Sequence, residues 1–196
     1  MSVAACSDPE KEHLKKTTIP TYDKRTGQLV EITYDRDKNG KIDTWTEMDG
    51  PKPRRSRIDL DEDGKLDRWE YYDGKGGLTK VGLSRKKDGH EDAWAYSGPD
   101  GKVARMEISS TGDASRIDRR EFYEGDALAR VEEDTDGNGK VDRWETYENG
   151  ALKTAAMDES GDGIPDRRLT YADGALVLIE SSPDASGKFT RQLAVK

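Results

Sequence analysis

The chain has 196 residues and a formal net charge of −8; 32% of the residues are hydrophobic and 38% are charged. Globular domains average roughly 45–50% apolar and about 25% charged residues, so a conventional two-layer core is hard to fill from this composition. An acidic chain without a basic run is a poor ligand for nucleic acid, and no stretch approaches the roughly 20 apolar residues of a membrane-spanning helix.

The first residues read Met1-Ser2-Val3-Ala4-Ala5-Cys6-Ser7. Cys6 is the single cysteine, so no internal disulfide can form. The stretch Val3-Ala4-Ala5-Cys6 resembles the end of a bacterial lipoprotein signal, where cleavage before the cysteine frees it for acylation. Met1-Ser2 supplies neither the charged nor the apolar region of a signal peptide, so the expectation is a trimmed signal behind an added Met. The resemblance implies that the membrane is reached only through a lipid anchor on Cys6. Ser7, in a place where Asp favours retention at the inner membrane, implies an outer-membrane lipoprotein of a diderm bacterium, facing periplasm or medium. The plainer reading of the same residues is a small-residue terminus with a free thiol. Residues 7–18, SDPEKEHLKKTT, form the expected tether. The domain reading is 1–18 for signal remnant and tether, and 19–196 for a repeat domain.

From residue 19 onward the chain repeats itself. The last Asp of each acidic loop falls at Asp43, Asp67, Asp92, Asp118, Asp142 and Asp166, at steps of 24, 25, 26, 24 and 24, with Thr190 another 24 on. The consensus is D-x-D-x-[DN]-G-K-[IVL]-D-x-W-x-x-Y-x-x-G-x-L. Disorder would suit the low hydrophobicity, but four Trp, eight Tyr and acidic residues set in register oppose it. Each unit reads as strand, turn, strand, acidic loop. Val141 to Tyr147 is β-branched and aromatic with charges interleaved, and Gly or Asp-Gly punctuates every dozen residues. Asn149-Gly150 and Asp173-Gly174 are tight-turn pairs. The stretch PTYDKRTGQLVEITYD supplies half a unit before the first loop, and KFTRQLAVK a final strand. The expected fold is all-β: about seven 24-residue β-hairpin units in an extended antiparallel meander of about fifteen strands. That sheet is a single layer, either open or curled and barrel-like. Seven acidic loops lie on one edge and short Gly turns on the other.

Period two sorts the side chains of the outgoing strands. Trp45, Trp69, Tyr71, Trp94, Tyr96, Phe122 and Trp144 share one face, while Arg68-Glu70-Tyr72, Arg119-Glu121-Tyr123 and Arg143-Glu145-Tyr147 share the other. Returning strands add Val81, Leu83, Met106, Ile108, Val131, Val177 and Ile179. One face is expected to be modestly apolar and the other a ladder of Arg, Glu and Tyr. The hairpin-per-unit pattern, with its Tyr and Asp-Gly turns, resembles bacterial MORN-type repeats, which form single-layer meanders. MORN units lack the acidic loop.

Four loops carry oxygen at alternate positions. Loop 35–46 offers Asp35, Asp37, Asn39, the carbonyl of Lys41, and Asp43, with Gly40 at position six. Loop 59–70 offers Asp59, Asp61, Asp63, the Lys65 carbonyl, Asp67 and Glu70 at position twelve. Loop 134–145 offers Asp134, Asp136, Asn138, the Lys140 carbonyl, Asp142 and Glu145. Loop 158–169 offers Asp158, Ser160, Asp162, the Ile164 carbonyl and Asp166; Leu169 and, in the first loop, Thr46 occupy position twelve. This is the ligand spacing of an EF-hand calcium loop, because a hard cation needs six to eight oxygens at about 2.4 Å. With strands as flanks, the loops resemble the D-x-D-x-D-G-x-x-D calcium loops of thrombospondin type 3, dockerin and integrin-propeller repeats. Up to about four Ca²⁺ are expected. Loop 84–95, with Ser84 and Lys86, loop 110–121, with Ser110, Gly112 and Ala114, and the last unit, with Ser182, Asp184, Ser186 and Thr190, are too poor in ligands. The competing reading is that Asp, Asn and Gly make good turns. Asp92 and Asp118 persist where the other ligands are gone, as if that Asp braces the turn alone.

No enzyme is expected. His13 and His90 are the only histidines, and no nucleophile, base and orienter can be assembled around them or around Cys6. The favoured expectation is a calcium-stabilised cell-envelope lipoprotein, a non-catalytic binding or structural module with a protein or glycan partner and no nucleic acid. A MORN-like immunity protein that binds a toxin partner is the first alternative. A carbohydrate-binding envelope protein using its Trp and Tyr row is the second.

Overall fold

The computed structural model of the protein describes residues 17–195. Cys6 and His13, and with them the expected lipid anchor and most of the expected tether, lie outside the described residues. The chain divides into two compact units, one up to Glu91 and one from Asp92. The first holds β1 (Thr18–Tyr22), β2 (Leu29–Tyr34), β3 (Thr44–Asp49), β4 (Lys52–Ile58), β5 (Arg68–Tyr72) and β6 (Leu78–Leu83). The second holds β7 (Ala93–Ser97), β8 (Val103–Ile108), β9 (Arg119–Glu124), β10 (Ala127–Glu133), β11 (Arg143–Glu148), β12 (Ala151–Met157), β13 (Arg167–Ala172), β14 (Ala175–Pro183) and β15 (Phe189–Ala194). In each unit the strands pair antiparallel in chain order, so each is an open meander and not a barrel.

The expected tight turns are present. Asn149 and Gly150 have φ of 52° and 78°, and Asp173 and Gly174 have 51° and 77°. Two successive left-handed residues match the twist of a two-residue hairpin, which is why Asn-Gly and Asp-Gly occupy these sites. A longer turn is built on one Asp side chain: Asp73 Oδ1 accepts from the amides of Lys75 and Gly77, both at 2.8 Å. The last unit uses this device too. Asp184 Oδ1 accepts from Ser186 at 2.8 Å and Lys188 at 3.1 Å, and joins β14 to β15 by a short turn. The expected seventh acidic loop is therefore a capped turn, because the chain between Pro183 and Phe189 is too short for more.

The faces differ from expectation. Val131, fully buried, pairs directly with Glu121 on β9 and Glu145 on β11. Ala155 continues that row beyond Glu145. Val81 pairs with Glu70. On the opposite face Trp144 meets Glu132 and Ala156, and Arg57 stands between Trp45 and Trp69. Neither face is apolar; each alternates apolar and charged side chains across the strands. The cause is a β-bulge near the turn of each hairpin on the edge opposite the acidic loops, for instance between Thr146 and Tyr147 and between Tyr71 and Tyr72. One added residue moves every later residue of the returning strand to the other face.

Charge on the first face is neutralised locally. Glu145, 5% exposed, accepts from Arg143 at 2.5 Å and from the Tyr147 hydroxyl at 2.6 Å. Glu70 accepts from Arg68 at 2.9 Å and Tyr72 at 2.6 Å; Glu121 accepts from Arg119 at 2.8 Å and Tyr123 at 2.6 Å. Burial, reinforced by these glutamates, pushes the phenols of Tyr123 and Tyr147 up to about 12 from an ordinary 10.0. A raised folded value means stability that is whole below pH about 10, where the unfolded phenols titrate, and is lost as pH climbs through about 12. We expect phenolate absorbance to rise in two phases, with Tyr123→Phe and Tyr147→Phe each removing part of the later one. A single phase near pH 10 in the folded protein would contradict the triad geometry.

Candidate metal centre

Each acidic loop begins where a returning strand ends, and each after the first is hydrogen-bonded to the loop before it. The first residue donates its N–H to the carbonyl of the preceding loop's ninth residue: Asp59 to Asp43 at 2.9 Å, Asp134 to Asp118 and Asp158 to Asp142 at 2.8 Å. The ninth residue donates back to the strand end, as Asp67 does to Ile58 and Asp142 to Glu133, both at 2.9 Å. Its carboxylate then closes over the second residue's amide: Arg36 to Asp43 at 2.8 Å, Leu60 to Asp67 at 2.7 Å, Thr135 to Asp142 at 3.1 Å, Glu159 to Asp166 at 2.7 Å.

The first carboxylate fills the middle of the loop. Its Oδ2 accepts from the sixth-position glycine: Gly40 at 2.9 Å, Gly64 at 3.0 Å, Gly139 at 2.8 Å and Gly163 at 2.7 Å. Those glycines have φ between 87° and 96°, which a side chain would strain. The fifth residue accepts from the seventh amide and so sets the Lys41, Lys65, Lys140 and Ile164 carbonyls: from Lys41 to Asn39 at 2.9 Å, and from Lys65 to Asp63, Lys140 to Asn138 and Ile164 to Asp162 at 2.8 Å.

Three loops bring their carboxylates together. Asp35, Asp37 and Asp43 form one group, Asp59, Asp61 and Asp67 a second, and Asp134, Asp136 and Asp142 a third; in each, one oxygen per residue lies within 4.8 Å of the others. Two ligands at about 2.4 Å from one calcium ion can be at most about 4.8 Å apart, so the groups fit a shared hard cation. In the fourth loop Ser160 takes the third position and donates to Asp158 Oδ1 at 3.1 Å, leaving a neutral oxygen where the others have a carboxylate. Burial pushes the Asp134 carboxyl up, but the amides of Gly139, Gly137 and Asn138 outweigh it and hold it below the usual carboxylate range. Asp158 shows the same balance, with Gly163 and Gly161 as donors. Both carboxylates are therefore ionised at neutral pH, as ligation requires.

Glu70 and Glu145 are placed differently from the sequence expectation. Position twelve of an EF-hand lies on a helix that returns over the loop. Here it lies in β5 or β11, and an extended strand carries it about 3.3 Å per residue away from the loop. Both oxygens of each are taken by the Arg and Tyr of its triad. The clustered carboxylates of the described residues come from positions one, three and nine.

The two depleted loops keep the frame with hydroxyls. Ser84 Oγ accepts from Asp88 at 3.2 Å and Gly89 at 3.3 Å. In the loop after β8 the first position is Ser109, not Ser110: Ser109, 1% exposed, donates its N–H to the Asp92 carbonyl at 2.8 Å and accepts from Gly112 at 3.1 Å. Ser110 is the second residue, donating to Asp118 at 3.0 Å. The loop holds an added residue, and the 26-residue step from Asp92 to Asp118 was the signal for it. Asp118 braces this loop while Ser109 and Thr111 hold the first and third positions; Asp113 takes the fifth and accepts from the Ser115 amide at 2.9 Å.

No family model and no curated protein matches the chain. Among solved structures it is similar to a chain of accessory secretory proteins 1, 2 and 3 in Streptococcus pneumoniae, at 14% identity and a TM-score of 0.40, over 55% of this chain and 19% of that one. It is also similar to chains of the TcdB2–TccC3 and TcdB2–TccC3–Cdc42 structures, each at 12% identity and a TM-score of 0.20, over 88% and 90% of this chain and 14% and 15% of those. This chain spans about a fifth or less of their length.

Proposed function

We propose that the protein is a calcium-stabilised module of the cell envelope, anchored through Cys6 and acting by binding or structural support without catalysis. The observation that carries the proposal is the threefold recurrence of one carboxylate geometry, first, third and ninth, in loops laced into a meander with little apolar core. The ligand set drawn from this geometry is the first, third, fifth and ninth side chains with the seventh carbonyl, completed by solvent rather than by Glu70 or Glu145. Loop 158–166, with Ser160, is the weakest of four sites. A protein or glycan partner on the envelope remains the expected ligand of the module as a whole. Trp69 and Trp94 are only 6% and 8% exposed, which speaks against stacking of sugar rings on them. The immunity-protein reading draws on the hairpin meander alone, and a stoichiometric toxin partner in pull-down would favour it.

Calorimetric titration of EDTA-stripped protein tests the metal. Three to four Ca²⁺ per chain are expected, with Mg²⁺ much weaker because its strict octahedral shell suits these loops poorly. Absence of binding at millimolar Ca²⁺ would leave the loops as turns and remove the proposal.

A further inference from the structure

The loop at 59–67 differs from its counterparts in two ways. Asp35, Asp134 and Asp158 each use Oδ1 to accept the fourth residue's amide, from Lys38, Gly137 and Gly161, all at 2.7 Å. Asp59 is 7% exposed, and its Oδ1 has no hydrogen-bond partner. A buried carboxylate oxygen without a donor is costly, which points to a ligand it is meant to meet. The second difference is Lys87. It reaches in from the neighbouring segment 84–91 and places Nζ 3.1 Å from Asp61 Oδ2, a member of the same carboxylate group. The two segments are tied together: Ser84 donates its N–H to the Asp67 carbonyl at 2.9 Å, and Lys65 Nζ donates to the Lys87 carbonyl at 3.5 Å.

We infer that Lys87 is a tethered competitor for the cation of the 59–67 loop, so that the ligand-poor segment 84–91 sets the affinity of its neighbour's site. The inference rests on the calcium reading. A divalent ion held by Asp59, Asp61 and Asp67 and an ammonium on Asp61 repel each other, so the ion enters as the ammonium leaves. The Lys87 side chain is 69% exposed and has solvent to move into. A lysine ammonium is charged throughout the physiological range, so it opposes the ion at a fixed level rather than as a pH switch. The third-position carboxylates of the other two groups have no such ammonium among the ion pairs of the described residues.

The test is a Ca²⁺ titration of the stripped full chain, followed by ¹H–¹⁵N correlation at the Gly64 and Gly139 amides, each bonded to the first carboxylate of its own loop. Lys87→Gln is expected to tighten the Gly64 response about three-fold, within the range an exposed ion pair spans, and to leave Gly139 unchanged. Lys87→Arg, which keeps the charge, should titrate close to the unsubstituted chain. Lys102→Gln removes the same charge from a lysine paired with Asp126 at 2.6 Å, outside the acidic loops, and should move neither glycine. If both glycines respond but Lys87→Gln titrates like the unsubstituted protein, or Lys102→Gln shifts Gly64 equally, this inference fails alone. If neither glycine responds in the unsubstituted chain, the calcium reading fails and takes the inference with it.

Discussion

Excess EDTA is expected to lower the melting temperature by about 20 °C or more relative to millimolar Ca²⁺, with recovery on adding Ca²⁺ and poor recovery with Mg²⁺. The size follows from the thinness of the core. Buried apolar side chains among the described residues are few, Val131, Ile58, Ile108, Trp69 and Trp94 the largest contributors beside Ala93 and Ala155, and the other buried side chains are mostly Ser, Asp and Glu. A ligand at a hundred times its Kd stabilises the folded state by about 2.7 kcal/mol per site. Three or four such sites match the roughly 5–15 kcal/mol that holds an ordinary domain together. For a chain of this length each kcal/mol moves the midpoint by about 2–4 °C. Circular dichroism melts in both conditions check it, and coincident melts would mean that loop hydrogen bonds alone hold the meander.

Replacing Asp118 by Ala is expected to destabilise the protein by about 2 kcal/mol, equally with Ca²⁺ and with EDTA. Asp118 is buried and accepts the Ser110 amide and hydroxyl in a loop whose first and third positions are filled by Ser109 and Thr111. Removing it takes the charged acceptor from two hydrogen bonds, and a bond to a charged group contributes about 1.5–3 kcal/mol. Asp142→Ala removes the same brace, from Thr135, together with one of the three clustered carboxylates. Its loss should be larger in Ca²⁺ than in EDTA. Urea unfolding of both variants in both conditions separates the two roles of the ninth Asp. An Asp118→Ala loss that appears only in Ca²⁺ would show that the depleted loop also holds metal.

The fifteen strands, their antiparallel order and the Asn-Gly and Asp-Gly turns were legible because repeat spacing and turn chemistry are local. The first, third and ninth carboxylates were legible for the same reason, since a nine-residue loop brings its own alternate residues together. What was not legible depended on register. The bulge beside Tyr147 puts Ala155 rather than Thr154 opposite Glu145, and nothing in the residue types marks it. Glu70 and Glu145 matched an EF-hand template whose last ligand depends on a helical flank, whereas here each stands on a strand with its oxygens held by Arg and Tyr. Ser109 was hidden because a serine hydroxyl replaces a carboxylate in the hydrogen-bond frame without resembling it as a ligand.

The bonds from each loop's first amide to the previous loop's ninth carbonyl have a kinetic side. Within each unit every strand pairs with the one made just before it, and every brace closes on a residue already in place. Contact order is therefore low, and little loop-closure entropy opposes any single step. Such a chain can zip up from its start as it emerges from a narrow exit, each hairpin offering a finished edge to the next. By the same token, damage stays where it falls: a cut in one acidic loop interrupts nearest-neighbour coupling at that rung and leaves the rungs on either side to stand on their own.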